Sequence, residues 1–488
     1  MSIDIGTTNC KAAVFDVEGR QLAISRREHT TDRRQPGPDD WWNAALYTLG
    51  EALQASGVDP RSVAGLGFSG RAGSLLTFLD ESDHLLHPQV NAEEVAVIAE
   101  RVRNELFPEH LYDLIGSIGI VPWVLWMQEN NRETLQRIAK IMGGKDYVVY
   151  KLTGQFVSDH LDKYNRRKPV PFCEAKGIIE PIQHKLPPLV PATNVVGTVL
   201  SELAAKFGLK RDLPVVVGGR DGTCAVTGVG VTEKGQACST IASSVCIRVI
   251  SDKILLDVPE NRVECRMHTV PGLWILDSTP GGGTTSYRWF RNEFGHVEVA
   301  AARFTDGDAY SLMNDEAAQT EPGADGLIFL PYVSGMSAPF RNRHARGVLF
   351  GLKLSHTRGH VIRAIKEGII YANRSGLEVL EGLGAKTKEI RTTGGGTRSP
   401  LWNQIQADIM GVPVVTSSVE EPECLGAAVI LAVGLGIYKT VPEAIRSMVR
   451  VEKRYEPRME LKDLYDKNFA IYGELCHSLS GPFTKQGS

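Results

Sequence analysis

Three short glycine-rich segments carry the residue types that phosphate and proton chemistry require. In the first, Asp4-Ile5-Gly6-Thr7-Thr8 with Lys11 close behind, a hard carboxylate stands beside two hydroxyls, a run of turn N–H groups and a cation. Such a turn binds anions, the carboxylate suits Mg²⁺, and together these are the parts used in phosphoryl transfer. A hairpin in which Gly and Thr only make the bend accounts for the same residues. The second segment, Gly218-Gly219-Arg220-Asp221-Gly222, delivers an aspartate that either takes a proton from an attacking hydroxyl or simply caps a turn. The third, Gly394-Gly395-Gly396-Thr397-Arg398-Ser399, is a plain loop or, ahead of a helix, a surface that a planar base or a phosphate approaches closely. Each signal is modest alone; all three in this order along one chain are stronger.

These turns have to be held at the ends of strands. Residues 1–16 read as strand, turn and strand, followed by a hairpin at Val17-Glu18-Gly19 and a third strand from Gln21. Pro214-Val215-Val216-Val217 is a short buried strand that stops at the paired glycines. A strand leads into Gly394, and the helix after it is well marked. Ser399 suits its N-cap, Pro400 its first position and Gly411 the residue after its end, with Pro413 beyond. Another helix is predicted over 360–377 from the spacing of Ile362, Ile365, Ile369 and Ala372. Strands alternating with such helices make the chain α/β.

At 488 residues the chain exceeds one ordinary core. Asp4-x-Gly6-Thr7 echoes Asp221-Gly222-Thr223, a weak hint of internal duplication, and the glycine-rich stretch 221–235 is the candidate crossing between two lobes. The expected domains are 1–231, 236–450, and a charged helical tail, 451–488, packed on the second.

Other chemistries are excluded by spacing. Gly144-Lys145 is followed by Asp146, so no P-loop is present, and Glu233 stands where a dinucleotide fingerprint after Gly228 and Gly230 needs glycine. His356 and His360, four apart at a helix start, fit capping or core packing better than a metal. With 54 Lys plus Arg against 57 Asp plus Glu, the formal charge of −3 argues against a nucleic-acid or membrane surface. The eight cysteines include no C-x-x-C pair and read as reduced thiols of a cytoplasmic protein. No secretory leader pattern is visible at Met1-Ser2-Ile3-Asp4, and the apolar run 425–438 is too short to span a bilayer.

Taken together, these residues resemble the FGGY carbohydrate kinase family of the actin-like ATPase superfamily, over essentially the whole chain. Asp4-x-Gly6-Thr7-Thr8-x-x-Lys11 resembles its first phosphate motif, Pro38-x-x-Trp41-Trp42 its P-x-x-W-W segment, and Asp146-Tyr147 with Leu152-Thr153-Gly154 its D-Y…L-T-G stretch. Gly218 to Asp221, Gly228, Gly230 and Gly235 resemble the second phosphate region, and Ala345-Arg346-Gly347 through Glu367-Gly368 the family signature. The likeness is strongest in the adenosine motif, Gly394-Gly395-Gly396-x-x-Ser399-x-x-Trp402-x-Gln404.

The resemblance implies two ribonuclease-H-like domains with an inter-lobe cleft, ATP and Mg²⁺, and transfer of the γ-phosphoryl group to a sugar hydroxyl. By that likeness Asp221 is the catalytic base and a substrate contact. Asp4 and Asp221 serve magnesium, while Thr7, Thr8, Lys11, Ser243, Gly394, Gly395, Gly396, Ser399 and Gln404 serve the nucleotide. A homodimer is in keeping with it.

Departures gather where the sugar should bind. Ser69-Gly70-Arg71-Ala72-Gly73 offers only Arg71 as a comparable polar contact, Val90-Asn91-Ala92 replaces the W-x-D-x-R segment, and Gly335-Met336-Ser337-Ala338-Pro339 replaces G-E-R-[T/S]-P. Ala242-Ser243-Ser244 loses the glycine of the G-T-S turn. D-xylulose is the leading substrate, with autoinducer-type, gluconate, erythritol and ribulose kinases as alternatives. A nucleotide-binding sensor that has lost efficient transfer is the competing class.

Overall fold

The computed structural model describes residues 1–29, 37–70, 76–87, 92–102, 120–161, 169–257, 260 and 262–487. By packing, the chain divides into two units. The first comprises Met1–Thr232, Arg266–Trp274 and Glu421–Arg450; the second comprises Glu233–Cys265, Ile275–Glu420 and Val451–Ser488.

The first unit is built on a six-stranded sheet of β1 (Ser2–Ile5), β2 (Asn9–Phe15), β3 (Gln21–Glu28), β4 (Leu66–Gly70), β5 (Val195–Thr198) and β6 (Pro214–Arg220), in the order β3-β2-β1-β4-β6-β5. β1 lies in the middle with all four residues buried, as a strand covered on both faces must be. It pairs antiparallel with β2 and parallel with β4, and the register sets both Lys11 and Ser69 beside Asp4. Helix α1 (Asp221–Gly228) begins where β6 ends, so Asp221 stands at a strand terminus.

The helix Pro422–Gly434, expected in the second domain, packs with the first unit. It crosses α1 at backbone contact: a Cβ on Gly228 would come within 1.9 Å of the Pro422 carbonyl oxygen, and one on Gly426 within 1.9 Å of that of Cys224. Only glycine permits this approach, and it brings Glu421 to Lys11, beside Asp4 in the middle of the sheet.

The second unit repeats the plan. Its strands β7 (Gln236–Ile241), β8 (Val245–Ser251), β9 (Trp274–Ser278), β10 (Glu389–Thr393), β11 (Val414–Ser417) and β12 (Val451–Tyr455) run in the order β9-β8-β7-β10-β11-β12, and a seventh strand, Val263–Met267, lies at the edge beyond β9. β7 pairs antiparallel with β8 and parallel with β10, as β1 does with β2 and β4. An antiparallel strand closes each sheet beyond the parallel ones, β5 on β6 and β12 on β11. The tail expected to be helical therefore starts as a strand; its helix, Lys462–Ser478, follows.

Helices α2 (Thr284–Phe294), α3 (Ala309–Ala318), α4 (Arg358–Gly382) and α5 (Pro400–Met410) surround the turn after β10. α4 starts ahead of 360 because Thr357 caps it, its hydroxyl and N–H both meeting His360 Nδ1 at 2.9 and 3.2 Å, and it runs past 377 to Gly382. The capping role expected for His360 is thus what its geometry provides.

Candidate active site

In the first unit the carboxylates gather at strand ends. Asp4 is buried, and Lys11 Nζ reaches its Oδ2 at 3.8 Å and Glu421 Oε2 at 2.6 Å. Arg26 Nε donates to the other oxygen of Glu421 at 2.8 Å. Asp4 Oδ1 makes no hydrogen bond; Ser69 Oγ, in register beside it, eases ionisation without adopting bonding geometry. Burial raises the Asp4 pKa, Lys11 opposes this, and the negative charges of Asp221 and Glu421 add to the rise. Burial also works against the charge of Lys11, but Asp4, Glu423 and Glu421 outweigh it and hold its pKa above the usual value. Glu423 is half-buried, and its loss of hydration, opposed by Lys11, pushes its pKa up to about 7.

Asp221 is partly exposed. Its Oδ1 accepts from Gly222 N at 2.7 Å and lies 3.7 Å from Arg220 Nε. One carboxylate oxygen is thereby oriented while the group keeps access to solvent. Thr7 and Thr8 are exposed on the β1–β2 turn, whose backbone is tied down by His29: its N–H donates to the Thr8 carbonyl and its Nε2 lies 2.9 Å from the Gly6 oxygen. Among the described residues no group of three or more His, Cys, Asp or Glu is arranged to hold a metal. Magnesium differs from metals held in all-protein cages, since one or two carboxylates with phosphate and water oxygens suffice. The unpartnered Oδ1 of Asp4, within electrostatic reach of Asp221, fits that requirement.

In the second unit Gly394 takes φ 95°, and a Cβ there would come within 2.6 Å of the Ile241 oxygen, so the turn lies flush against the end of β7. Ser399 Oγ accepts from Trp402 N at 3.3 Å and caps α5. Beside this turn lies a cavity of about 700 Å³ to whose lining Gly395, Gly396, Ser399, Trp402, Tyr287 and Lys366 contribute. That volume is in the range for small-molecule sites.

The structure thus gathers Asp4, Lys11 and Asp221 on the first unit, and Gly395, Gly396 and Ser399 on the second unit's cavity. Three expected residues stand apart from that lining. Gly394 supports the turn from behind. Ser243 is exposed on the β7–β8 turn, its carbonyl accepting from Thr285 Oγ1 at 2.8 Å. Gln404 faces away, its amide donating to Asp408 Oδ1 and the Glu456 carbonyl, each at 2.8 Å. Arg71 and Asn91 lie outside the described residues. Sequence reasoning missed Glu421 and Glu423, which follow the second unit's last parallel strand yet join the first unit. It also missed His29, Tyr287 and Lys366.

Residues 1–228 match the family model described as the FGGY family of carbohydrate kinases, N-terminal domain, and residues 243–435 match its C-terminal domain. A xylulose kinase from Staphylococcus epidermidis is 27% identical over 483 residues, covering 97% of this chain and 95% of that protein. A gluconokinase from Bacillus licheniformis is 29% identical over 508 residues, covering 99% and 97%. The crystal structure of ligand-bound xylulose kinase from Lactobacillus acidophilus superposes with a TM-score of 0.86 at 24% identity, covering 99% of this chain and 100% of that one, a likeness of fold. No helix among the described residues is long and apolar enough to cross a membrane.

Proposed function

This chain belongs to the FGGY family of carbohydrate kinases, and from that premise we propose that it moves the γ-phosphoryl group of Mg-ATP to a hydroxyl of a small open-chain carbohydrate, D-xylulose first, with Asp221 as the general base. One observation carries the assignment of roles: the negative charge of Asp221 acts on the buried carboxylate of Asp4, which keeps an oxygen without a partner.

Asp221 accepts the hydroxyl proton as the oxygen attacks phosphorus; its free oxygen and partial exposure leave room for a substrate. Its second oxygen, held by Gly222 N, fixes the carboxylate plane. Asp4 and Asp221 hold magnesium, which when bound neutralises charge on the terminal phosphates. Lys11 counters the burial that raises the Asp4 pKa and turns its remaining N–H toward phosphate, while Thr7 and Thr8 supply hydroxyl and backbone donors. The second unit's cavity takes the nucleoside, with the glycine turn and Ser399 beside the ribose. Arg71 contacts the sugar.

Two relatives of nearly equal likeness, named xylulose kinase and gluconokinase, keep gluconate as the second substrate. Cytoplasmic location is in keeping with eight cysteines that form no disulfide. The experiment is a coupled ADP-release assay over D-xylulose, D-ribulose, gluconate, erythritol and an autoinducer-type substrate. Highest kcat/KM with D-xylulose is the expected result, gluconate in first place moves the assignment to the second substrate, and no sugar-stimulated turnover on any member refutes the proposal.

A further inference from the structure

The cavity beside the glycine turn contains a feature that packing does not explain. Lys366 lines it from α4, where Ile362, Ile369, Arg363 and Asn373 share its side of the helix, and its side chain is fully buried. Its Nζ makes no hydrogen bond. It lies 4.0 Å from the centroid of the Trp402 ring and 4.4 Å from that of Tyr287. The two rings meet edge to face, 5.5 Å apart, and the Trp402 indole N–H donates to the Lys366 carbonyl at 3.2 Å. Two more polar atoms of the same lining are buried without a partner, the Tyr287 hydroxyl and Asn314 Oδ1 on α3. A leucine or methionine at 366 would fill the space with no polar group to satisfy.

We infer that Lys366, Tyr287 and Asn314 read the base of the nucleotide, and that Lys366 determines which base is accepted. The inference rests on the proposal that this cavity takes the nucleoside. A buried polar atom left unpaired is unfavourable, and all three here are closed off from the open part of the cavity, so each meets a ligand that supplies its partner only by turning into it. Lysine and tyrosine donate, and the Asn314 oxygen accepts. The complementary ligand is a flat heterocycle with ring-nitrogen acceptors next to an exocyclic amine, which is the edge of a 6-aminopurine. A 6-oxopurine turns a carbonyl oxygen toward the Asn314 oxygen and is disfavoured. The amine is closed off from water in the free chain, so it reaches the base by swinging on its flexible four-carbon stem from between the rings. Burial draws its pKa down to about 7, which keeps the desolvated amine available as a donor without a carboxylate partner.

The test measures ATP and ITP binding and turnover for the full chain and for three variants. The wild type is expected to favour ATP over ITP by about 10-fold or more. Lys366→Met should weaken ATP by about 10- to 100-fold, bring the ATP/ITP ratio close to one, and leave kcat at saturating ATP and the sugar KM within about 3-fold. Tyr287→Phe, which removes only a hydroxyl, should weaken ATP by about 3- to 10-fold and lower the ratio. Unchanged ATP affinity and ratio in a folded Lys366→Met protein overturn the inference; should that variant not fold, an unchanged ratio in Tyr287→Phe does so. Ala318→Trp, which fills the cavity from an exposed position on α3, separates the two levels. If it leaves ATP binding intact, the placement of the nucleoside falls. If it blocks ATP while the other two variants behave as wild type, only the base-reading role falls.

Discussion

Replacing Lys366 by methionine should make the protein more stable, and by an amount that depends on pH. The amine titrates at 10.5 in an exposed chain and at about 7 in the fold, with burial as the cause. At about 1.4 kcal/mol per pH unit, carrying the charged amine into the core costs about 5 kcal/mol below pH 7. Cation–π attraction to Trp402 and Tyr287, at 4.0 and 4.4 Å, offsets about 1–3 kcal/mol of this. The remainder, about 2–4 kcal/mol, is what methionine should recover, equivalent to a rise in Tm of about 5 °C or more.

The sign follows from proton counting. Between pH 7 and 10.5 the unfolded chain holds a proton on this lysine that the folded chain lacks, so the wild type gains stability as pH rises through that window. The advantage of the variant is therefore complete below pH 7 and gone by pH 10.5. Denaturant unfolding of both proteins at pH 6.5 and 9.5, at matched ionic strength, reads the gap directly, and other titrating groups cancel in the difference. A variant less stable than wild type at pH 6.5, or a gap equal at both values, refutes the placement of an unpaired amine in the core. A gain in stability accompanied by lost ATP affinity would mark Lys366 as a residue kept for binding at the expense of the fold.

Two further outcomes are expected. Asp221→Asn preserves the contact with Gly222 N but cannot take a proton, so kcat should fall by about 10²–10⁴-fold with ATP affinity within a few-fold of wild type; turnover close to wild type would remove Asp221 from the base role. Gly426→Ala places a methyl group within 1.9 Å of the Cys224 oxygen, so the two helices must separate, lowering stability by about 1–3 kcal/mol and moving Glu421 relative to Lys11; an unaltered Tm would show that the helices do not meet backbone to backbone.

Much of the site was already written in local sequence. The turn after Asp4, the strand that delivers Asp221, and the Ser399–Pro400 start and Gly411 end of α5 depend on residues within a few positions of one another. Capping, strand alternation and glycine conformations act over that range, so spacing is enough to find them. The weak echo between Asp4-x-Gly6-Thr7 and Asp221-Gly222-Thr223 did not reveal the true repeat, which is a strand order shared by both sheets, since hydrogen-bond pairing between distant strands leaves no local pattern. The tail was expected to be helical for a related reason: Val451–Tyr455 is charged and mostly exposed, as an edge strand can be, and nothing within it points to its partner on β11.

By itself, then, the chain determined the kinds of group available, three turns able to handle phosphate, base and proton, and the family to which they belong. Tertiary structure alone decided which of them work as one. Glu421 is 410 positions from Lys11 (421 − 11) yet bonds to it at 2.6 Å, and Lys366 becomes unusual only because Tyr287 and Trp402 enclose it while no carboxylate does. Burial and charge proximity are properties of the packed chain. They set the protonation of Asp4, Glu423 and Lys366, and no interval along the sequence encodes them.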